Sequence, residues 1–147
     1  MNLNIYVDSN TSRTNPGPCA IGAIAFNSEG KELARSGRFI GMTTNNVGEW
    51  RAAIEGLALG LTIPGVTGVK IHTDSQLVQL QATGRYKVKA QHLRPLLHEW
   101  QLQVKEYPVP VTIHWIPRED NPAHDVADEY LTREYQIHEF DGVSPCL

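Results

Sequence analysis

Apolar and polar residues alternate over LNIYVD (3–8). Leu3, Ile5 and Val7 share one face and Asn4, Tyr6 and Asp8 the other, which is the period of a strand. SNTSRTNPGP (9–18) is polar and full of breakers, and predicts a turn. CAIGAIAF (19–26) and KELARSGRFI (31–40) read as two more strands joined by the turn NSEG. Connections this short make the three an antiparallel meander.

The period then changes. In TTNNVGEWRAAIEGL (43–57) and the residues after it, Ala53, Leu57 and Leu61 recur at helical spacing, with Asn46 as the expected N-cap. IPGVTG breaks this helix, and VKIHTD (69–74) alternates again as a fourth strand. Ser75 is placed to cap a short helix, QLVQLQAT, which Gly84 ends. A longer helix is expected over 91–106, with Leu93, Leu96, Leu97, Trp100 and Val104 as its apolar stripe. Pro95 there belongs to the first turn or marks a kink. VTIHWI (111–116) is a fifth strand, and Asn121 followed by Pro122 starts a last helix running to about Tyr135.

The order βββαβααβα predicts an α/β fold. Three antiparallel strands come first, and later strands return through right-handed crossovers to give a mixed five-stranded sheet flanked by helices. One domain over 1–140 is expected, followed by a C-terminal tail, 141–147, without clear pattern.

Composition narrows the function more than the fold. At 147 residues, with 41% apolar and 20% charged, the chain has the makeup of an ordinary globular domain with its own core. No apolar run approaches the roughly 20 residues that span a bilayer. MNLNIYVD shows no basic region leading into an apolar stretch, so no signal peptide is expected and the cytoplasm is the default. Cys19 and Cys146 have no zinc spacing. A bridge between them would tie down the tail, but cytosolic disulfides are rare, so thiols are expected. A net charge of −3 argues against gripping nucleic acid by bulk charge, and leaves RYKVK (85–89) with Arg94 as the one basic cluster.

Three acids then stand out. Asp8 ends the first strand, Asp74 ends the fourth, and Glu49 opens the first helix on the connection between them. Each has a bland reading: a turn starter for Asp8, a cap or turn residue for Asp74, and for Glu49 the acid of an Asn46-x-x-Glu49 capping box. Together they say more. Ligands bind at the carboxyl ends of parallel strands. If strands one and four are neighbours, three carboxylates meet there and repel one another. A hard divalent cation resolves that repulsion, and carboxylate oxygens suit Mg²⁺ better than zinc. Asp125, in the first turn of the last helix, is a candidate fourth ligand, with Asp128 competing. Such a cluster acts on phosphate esters, two ions activating water and stabilising the leaving oxygen. There is no G-x-S-x-G elbow and no P-loop.

The chain resembles type 1 ribonuclease H over about residues 3–135. VDSNTSRTNPGPCAIGAIAF is similar to the family's first hairpin, with its Asp and NPGP-x-x-x-G. TTNNVGEWRAAIEGL resembles its TTNN-x-x-E-x-x-A helix start, HTDSQLV its DSQ-L-V segment, and PREDNPAHDVAD its closing R-x-x-N-x-x-x-D helix. The resemblance implies endonucleolytic cleavage of the RNA strand of RNA–DNA hybrids with two Mg²⁺ ions, for which Mn²⁺ can substitute. It implies Asp8, Glu49, Asp74 and Asp125 as metal ligands, and its Asn-to-Asp spacing selects Asp125 over Asp128. Asn15, Asn45, Asn46 and Gln76 match positions that contact the hybrid, and Thr44 a position near a DNA-strand phosphate. A monomer is expected.

The departures matter as much. Ser9 stands where the family usually has Gly, and the first loop is one residue longer. The large basic handle of some members is missing, which leaves hybrid binding to Lys87, Lys89 and Arg94, unless these are a solvated face. Some members carry a His before the last Asp. Here Arg118 or Glu119 takes its place, and Arg118 is preferred. His124 reads as a partly buried helix residue, and His72 and His114 as packing or hydrogen-bonding strand residues. The alternative to an active nuclease is a catalytically silent nucleic-acid-binding module of the same fold. A third reading is a related nuclease acting on double-stranded RNA or DNA ends.

Overall fold

The computed structural model of the chain describes residues 1–140, with side chains through residue 137. The tail 141–147, and Cys146 with it, lies outside the described residues. The strands are β1 (Asn2–Thr11), β2 (Gly17–Phe26), β3 (Glu32–Thr43), β4 (Gly68–Thr73) and β5 (Val111–Trp115). The helices are α1 (Asn45–Leu61), α2 (Gln76–Ala82), α3 (Arg94–Glu106) and α4 (Ala123–Phe140), with 3₁₀ turns at Gln91–Leu93 and Arg118–Asp120.

The five strands form one sheet in the order β3-β2-β1-β4-β5. β1 pairs antiparallel with β2, and β2 with β3, while β4 runs parallel to both β1 and β5. This is the mixed sheet that the periodicity predicts. The alternation of β1 sorts its residues between two layers. Leu3, Ile5 and Val7 enter the main core with Trp50 and Leu57 of α1 and Trp100 of α3, and Tyr6 joins the smaller cluster against α4 with Ile24, Phe26, Val126 and Tyr130. The three earlier helices thus cover one face, and α4 covers part of the other.

Two glycines set how closely the helices approach. A Cβ at Gly56 would stand 2.6 Å from Val7 Cγ1, so α1 rides directly on β1. A Cβ at Gly22 would stand 2.6 Å from the Ala127 backbone nitrogen, so α4 sits directly on β2. Gly22 is also the residue paired with Asp8. The close approach of α4 is therefore made beside the acid that follows the last residue of β1 paired with β4.

Several boundaries differ from expectation. The N-cap of α1 is Thr44, whose Oγ1 accepts from the Val47 N–H at 3.3 Å, and Asn46 is already helical. The capping box is therefore absent, because Glu49 lies too far into the helix to reach back to its start. Leu61 is 58% exposed and does not extend the buried stripe of Ala53 and Leu57. β3 runs three residues further than expected, across a register shift near Gly41, whose φ of +87° suits glycine. α4 runs past Tyr135 to Phe140. β1 runs past Asp8 to Thr11 and β2 starts at Gly17, because Ser9, Asn10 and Thr11 stay paired with Ile21, Ala20 and Cys19, so the turn is shorter than expected. Other expectations hold: Pro95 lies at the start of α3, Ser75 caps α2 through the Val78 N–H at 3.2 Å, and Asn121 Oδ1 accepts from the Ala123 N–H at 3.1 Å.

Gly22→Val is expected to push α4 off the sheet and destabilise the fold by about 1–3 kcal/mol through overpacking. Thermal denaturation should show a fall in Tm of roughly 3–10 °C. An unchanged Tm would contradict the close approach.

Candidate active site

The parallel pairing of β1 with β4 places Val7 opposite Thr73, so the next residues, Asp8 and Asp74, emerge side by side. α1 crosses above with Glu49. One carboxylate oxygen from each of these three residues lies within 4.8 Å of the others. They line a cavity of about 440 Å³ shared with Ser9, Asn10, Thr11, Asn45, Ser75 and Arg118.

Each carboxylate is held differently. Asp8 is buried; its Oδ1 accepts the Ser9 N–H at 2.9 Å, and its Oδ2 lies 3.1 Å from His124 Nδ1. Asp74 Oδ2 accepts from Asn121 Nδ2 at 3.2 Å, and its carbonyl accepts from Trp115 Nε1 at 3.1 Å. Glu49 Oε1 accepts the Ser9 hydroxyl at 2.7 Å, while Oε2 is buried without a hydrogen-bond partner. Asn121 ties the parts together: its Nδ2 also donates to the Val7 carbonyl at 2.9 Å, and its Oδ1 holds the first turn of α4.

This crowding has an electrostatic cost. Burial, and then the charge of Asp74, push the Asp8 carboxyl up to about 6, against the pull of the Ser9 N–H and His124. Burial first, and then Asp8, hold Glu49 well above the usual carboxylate range. Asp74 adds to that, and the Ser9 hydroxyl works against it. Three converging carboxylates with one orphaned buried oxygen are short of positive charge. The donors are all oxygen, which fits a hard divalent cation bound through carboxylates and water.

The remaining expected residues are distributed around this centre. Asp125 is exposed on the first turn of α4 and is not among the three converging acids. It lines a larger, neighbouring cavity of about 900 Å³ with Asn4, Tyr6, Phe26, His124 and Arg118. Asp128, its competitor, accepts from Asn10 Nδ2 at 3.0 Å. Arg118 lies on the rim of both cavities. Asn15 Oδ1 accepts the Asn45 N–H at 2.9 Å, joining the first hairpin to the start of α1. Thr44 caps the same helix, and Asn46 and Gln76 are exposed in the first turns of α1 and α2. Lys87 and Lys89 are exposed on the connection after α2, and Arg94 donates to the Val88 carbonyl at 3.2 Å.

The partners of the acids were the least legible part. Ser9 is visible in the sequence only as a departure from the family's Gly, and nothing there shows its hydroxyl reaching Glu49. His124 is half-buried, as expected, but its contact with Asp8 depends on the closeness of α4 to β2. His72 and His114 are hydrogen-bonding residues, as expected. His72 pairs with Asn4 at 2.9 Å and stacks on Tyr6, and His114 pairs with Thr112 at 2.8 Å.

Residues 7–130 match the family described as reverse transcriptase-like. A bifunctional protein of Mycobacterium tuberculosis is 36% identical over 115 residues, which cover 78% of this chain and 31% of that protein. The chain thus spans about a third of that curated relative's length. Among solved structures, RNase H1 from the halophilic archaeon Halobacterium salinarum superposes with a TM-score of 0.83 at 30% identity, covering 90% of this chain and 99% of that one. LC11-RNase H1, solved in complex with an RNA/DNA hybrid, gives a TM-score of 0.80 at 32% identity, covering 89% and 97%.

The raised carboxyl groups predict an unusual pH dependence in chelator. Asp8 holds its proton up to about pH 6 when folded but loses it near 3.8 when unfolded. Between those values the folded state binds more protons, so its stability falls as pH rises. Glu49 acts with the same sign. Asp8→Asn removes the Asp8 contribution and should stabilise the metal-free protein at pH 7 by on the order of 1–3 kcal/mol. Tm should converge with that of the unsubstituted protein near pH 4. A variant less stable at pH 7 would show that burial and the neighbouring acids do not penalise the Asp8 carboxylate.

Proposed function

The chain belongs to the ribonuclease H branch of the reverse transcriptase-like family, and from that premise we propose that it cleaves the RNA strand of RNA–DNA hybrids internally. The observation that carries the proposal is the convergence of Asp8, Glu49 and Asp74 within 4.8 Å, with Glu49 Oε2 buried and without a hydrogen-bond partner. A solved relative with the same fold holds an RNA/DNA hybrid, which supports the substrate class.

Asp8, Glu49 and Asp74, with Asp125 completing the set, would hold two Mg²⁺ ions, or Mn²⁺ in their place, which supply activation of water and stabilisation of the leaving oxygen. The chain's own residues do the rest. Asn121 fixes the Asp74 carboxylate, and Ser9 and His124 fix Asp8, so the ligands need little rearrangement. Asn15, Asn45, Asn46 and Gln76 supply polar groups for the wide minor groove of an A-like hybrid, where 2′-hydroxyls distinguish RNA from DNA. The Asn15–Asn45 hydrogen bond sets the spacing of two of these. Thr44 would meet a DNA-strand phosphate. Arg118, on the cavity rim, supplies a cation for the cleaved phosphate. Lys87 and Lys89 add sequence-independent attraction for the backbone. The protein acts as a monomer in the cytoplasm.

The test is cleavage of an end-labelled RNA–DNA hybrid, in Mg²⁺ or in chelator, beside duplex RNA and duplex DNA. Cuts within the RNA strand of the hybrid alone, and only with metal, are expected. Glu49→Gln should keep the fold and lower the rate by at least about a hundredfold. Hybrid binding without cuts in Mg²⁺ or Mn²⁺ would make the chain a silent binding module instead.

A further inference from the structure

We propose that Ser9 is a positioning residue for Glu49, fixing the carboxylate in the orientation that receives the metal; this rests on the reading of the acid cluster as a metal centre. The Ser9 hydroxyl donates to Glu49 Oε1 at 2.7 Å, the shortest of the hydrogen bonds made to the three acids. Glu49 is the most mobile of the three by construction, since a glutamate has one more rotatable bond than an aspartate. Its two oxygens are not equivalent here. Oε1 accepts from Ser9, and Oε2 is buried with no hydrogen-bond partner. The hydroxyl therefore fixes the rotation of the carboxylate, holding Oε1 and leaving Oε2 without a donor. A donor held by the protein, rather than by water, lets that orientation persist when the site is empty.

The packing shows that Ser9 is built into this place. Gly48, the residue before Glu49, is buried, and a Cβ there would stand 3.0 Å from both Ser9 Cβ and Ser9 Oγ and 2.8 Å from Cys19 Sγ. α1 thus rests on Ser9 through a glycine, and a larger residue at 48 would drive the hydroxyl and the carboxylate apart. The same serine donates its backbone N–H to Asp8 Oδ1 at 2.9 Å. One residue thereby orients two of the three acids, Asp8 through its main chain and Glu49 through its side chain. Only the second contact depends on residue 9 being serine.

The experiment is Mn²⁺ binding to the full chain without nucleic acid, followed by calorimetry and by the paramagnetic relaxation of water protons. Ser9→Ala keeps the Cβ packed on Gly48 and removes only the hydroxyl. It should weaken Mn²⁺ affinity about tenfold, as loss of a partner to a metal ligand does. The same substitution in a Glu49→Ala background should change the affinity less than about twofold, because the acceptor is already gone. A merely structural effect of Ser9 would persist in both backgrounds. Unchanged affinity in Ser9→Ala, or an equal loss in both backgrounds, would overturn the proposal. Absence of Mn²⁺ binding by the unsubstituted chain would overturn the metal centre itself, and the role of Ser9 with it.

Discussion

The parallel pairing of β1 with β4, in the register that sets Val7 opposite Thr73, is the constraint on which the site depends. Side chains alternate along a strand, so a slip of one residue would send Asp8 into the main core and Val7 toward α4. The register is secured by burial. Leu3, Ile5 and Val7 from β1 and Val69 and Ile71 from β4 all enter the same cluster with Trp50 and Leu57. The apolar core thus fixes to within a residue where two carboxylates emerge. Asn121 reinforces the same point from the other side, bonding the Val7 carbonyl and the Asp74 carboxylate with one amide.

What the core places together, electrostatics opposes. Asp8 and Glu49 are both pushed up by burial and by their acidic neighbours, so the empty site lowers the stability of the fold that builds it. The groups that offset this are the N–H and hydroxyl of Ser9 and the ring of His124, while the amide of Asn121 holds Asp74 in place. They orient the acids without neutralising them. A divalent cation held by these acids would relieve a repulsion already present. Glycines set the helices for this: Gly56 and Gly48 let α1, with Glu49, rest on β1 and Ser9, and Gly22 lets α4, with His124, approach β2.

Strand periodicity made β1, β2 and β4 legible, since each has one face in the main core, and the change to helical spacing marked α1. The limits of the reading are equally physical. TTNN offers four consecutive residues, each a competent cap, and local preference alone cannot rank them. The choice of Thr44 follows from the β2–β3 pairing, which runs as far as Gly17 opposite Thr43 and leaves the helix to start at the next turn. Leu61 fits the helical spacing of the apolar stripe, yet it is exposed at the last turn, where the buried neighbour Gly60 faces Ile5 and Tyr107 instead. The three central acids were visible because Asp8 and Asp74 follow two apolar alternations of matching length and Glu49 lies near the start of a helix, although β1 itself continues to Thr11. Their partners were not, because Ser9 meets Glu49 across 40 residues and His124 meets Asp8 across 116, and both contacts depend on how near the helices come.

The most direct test of the central claim is an anomalous difference map from crystals of the chain soaked in Mn²⁺. The geometry predicts a peak within coordination distance of Asp8, Glu49 and Asp74 together, lost in crystals of Asp8→Asn. An empty map at that point under saturating Mn²⁺, or a peak confined to the exposed acids of α4, would contradict it.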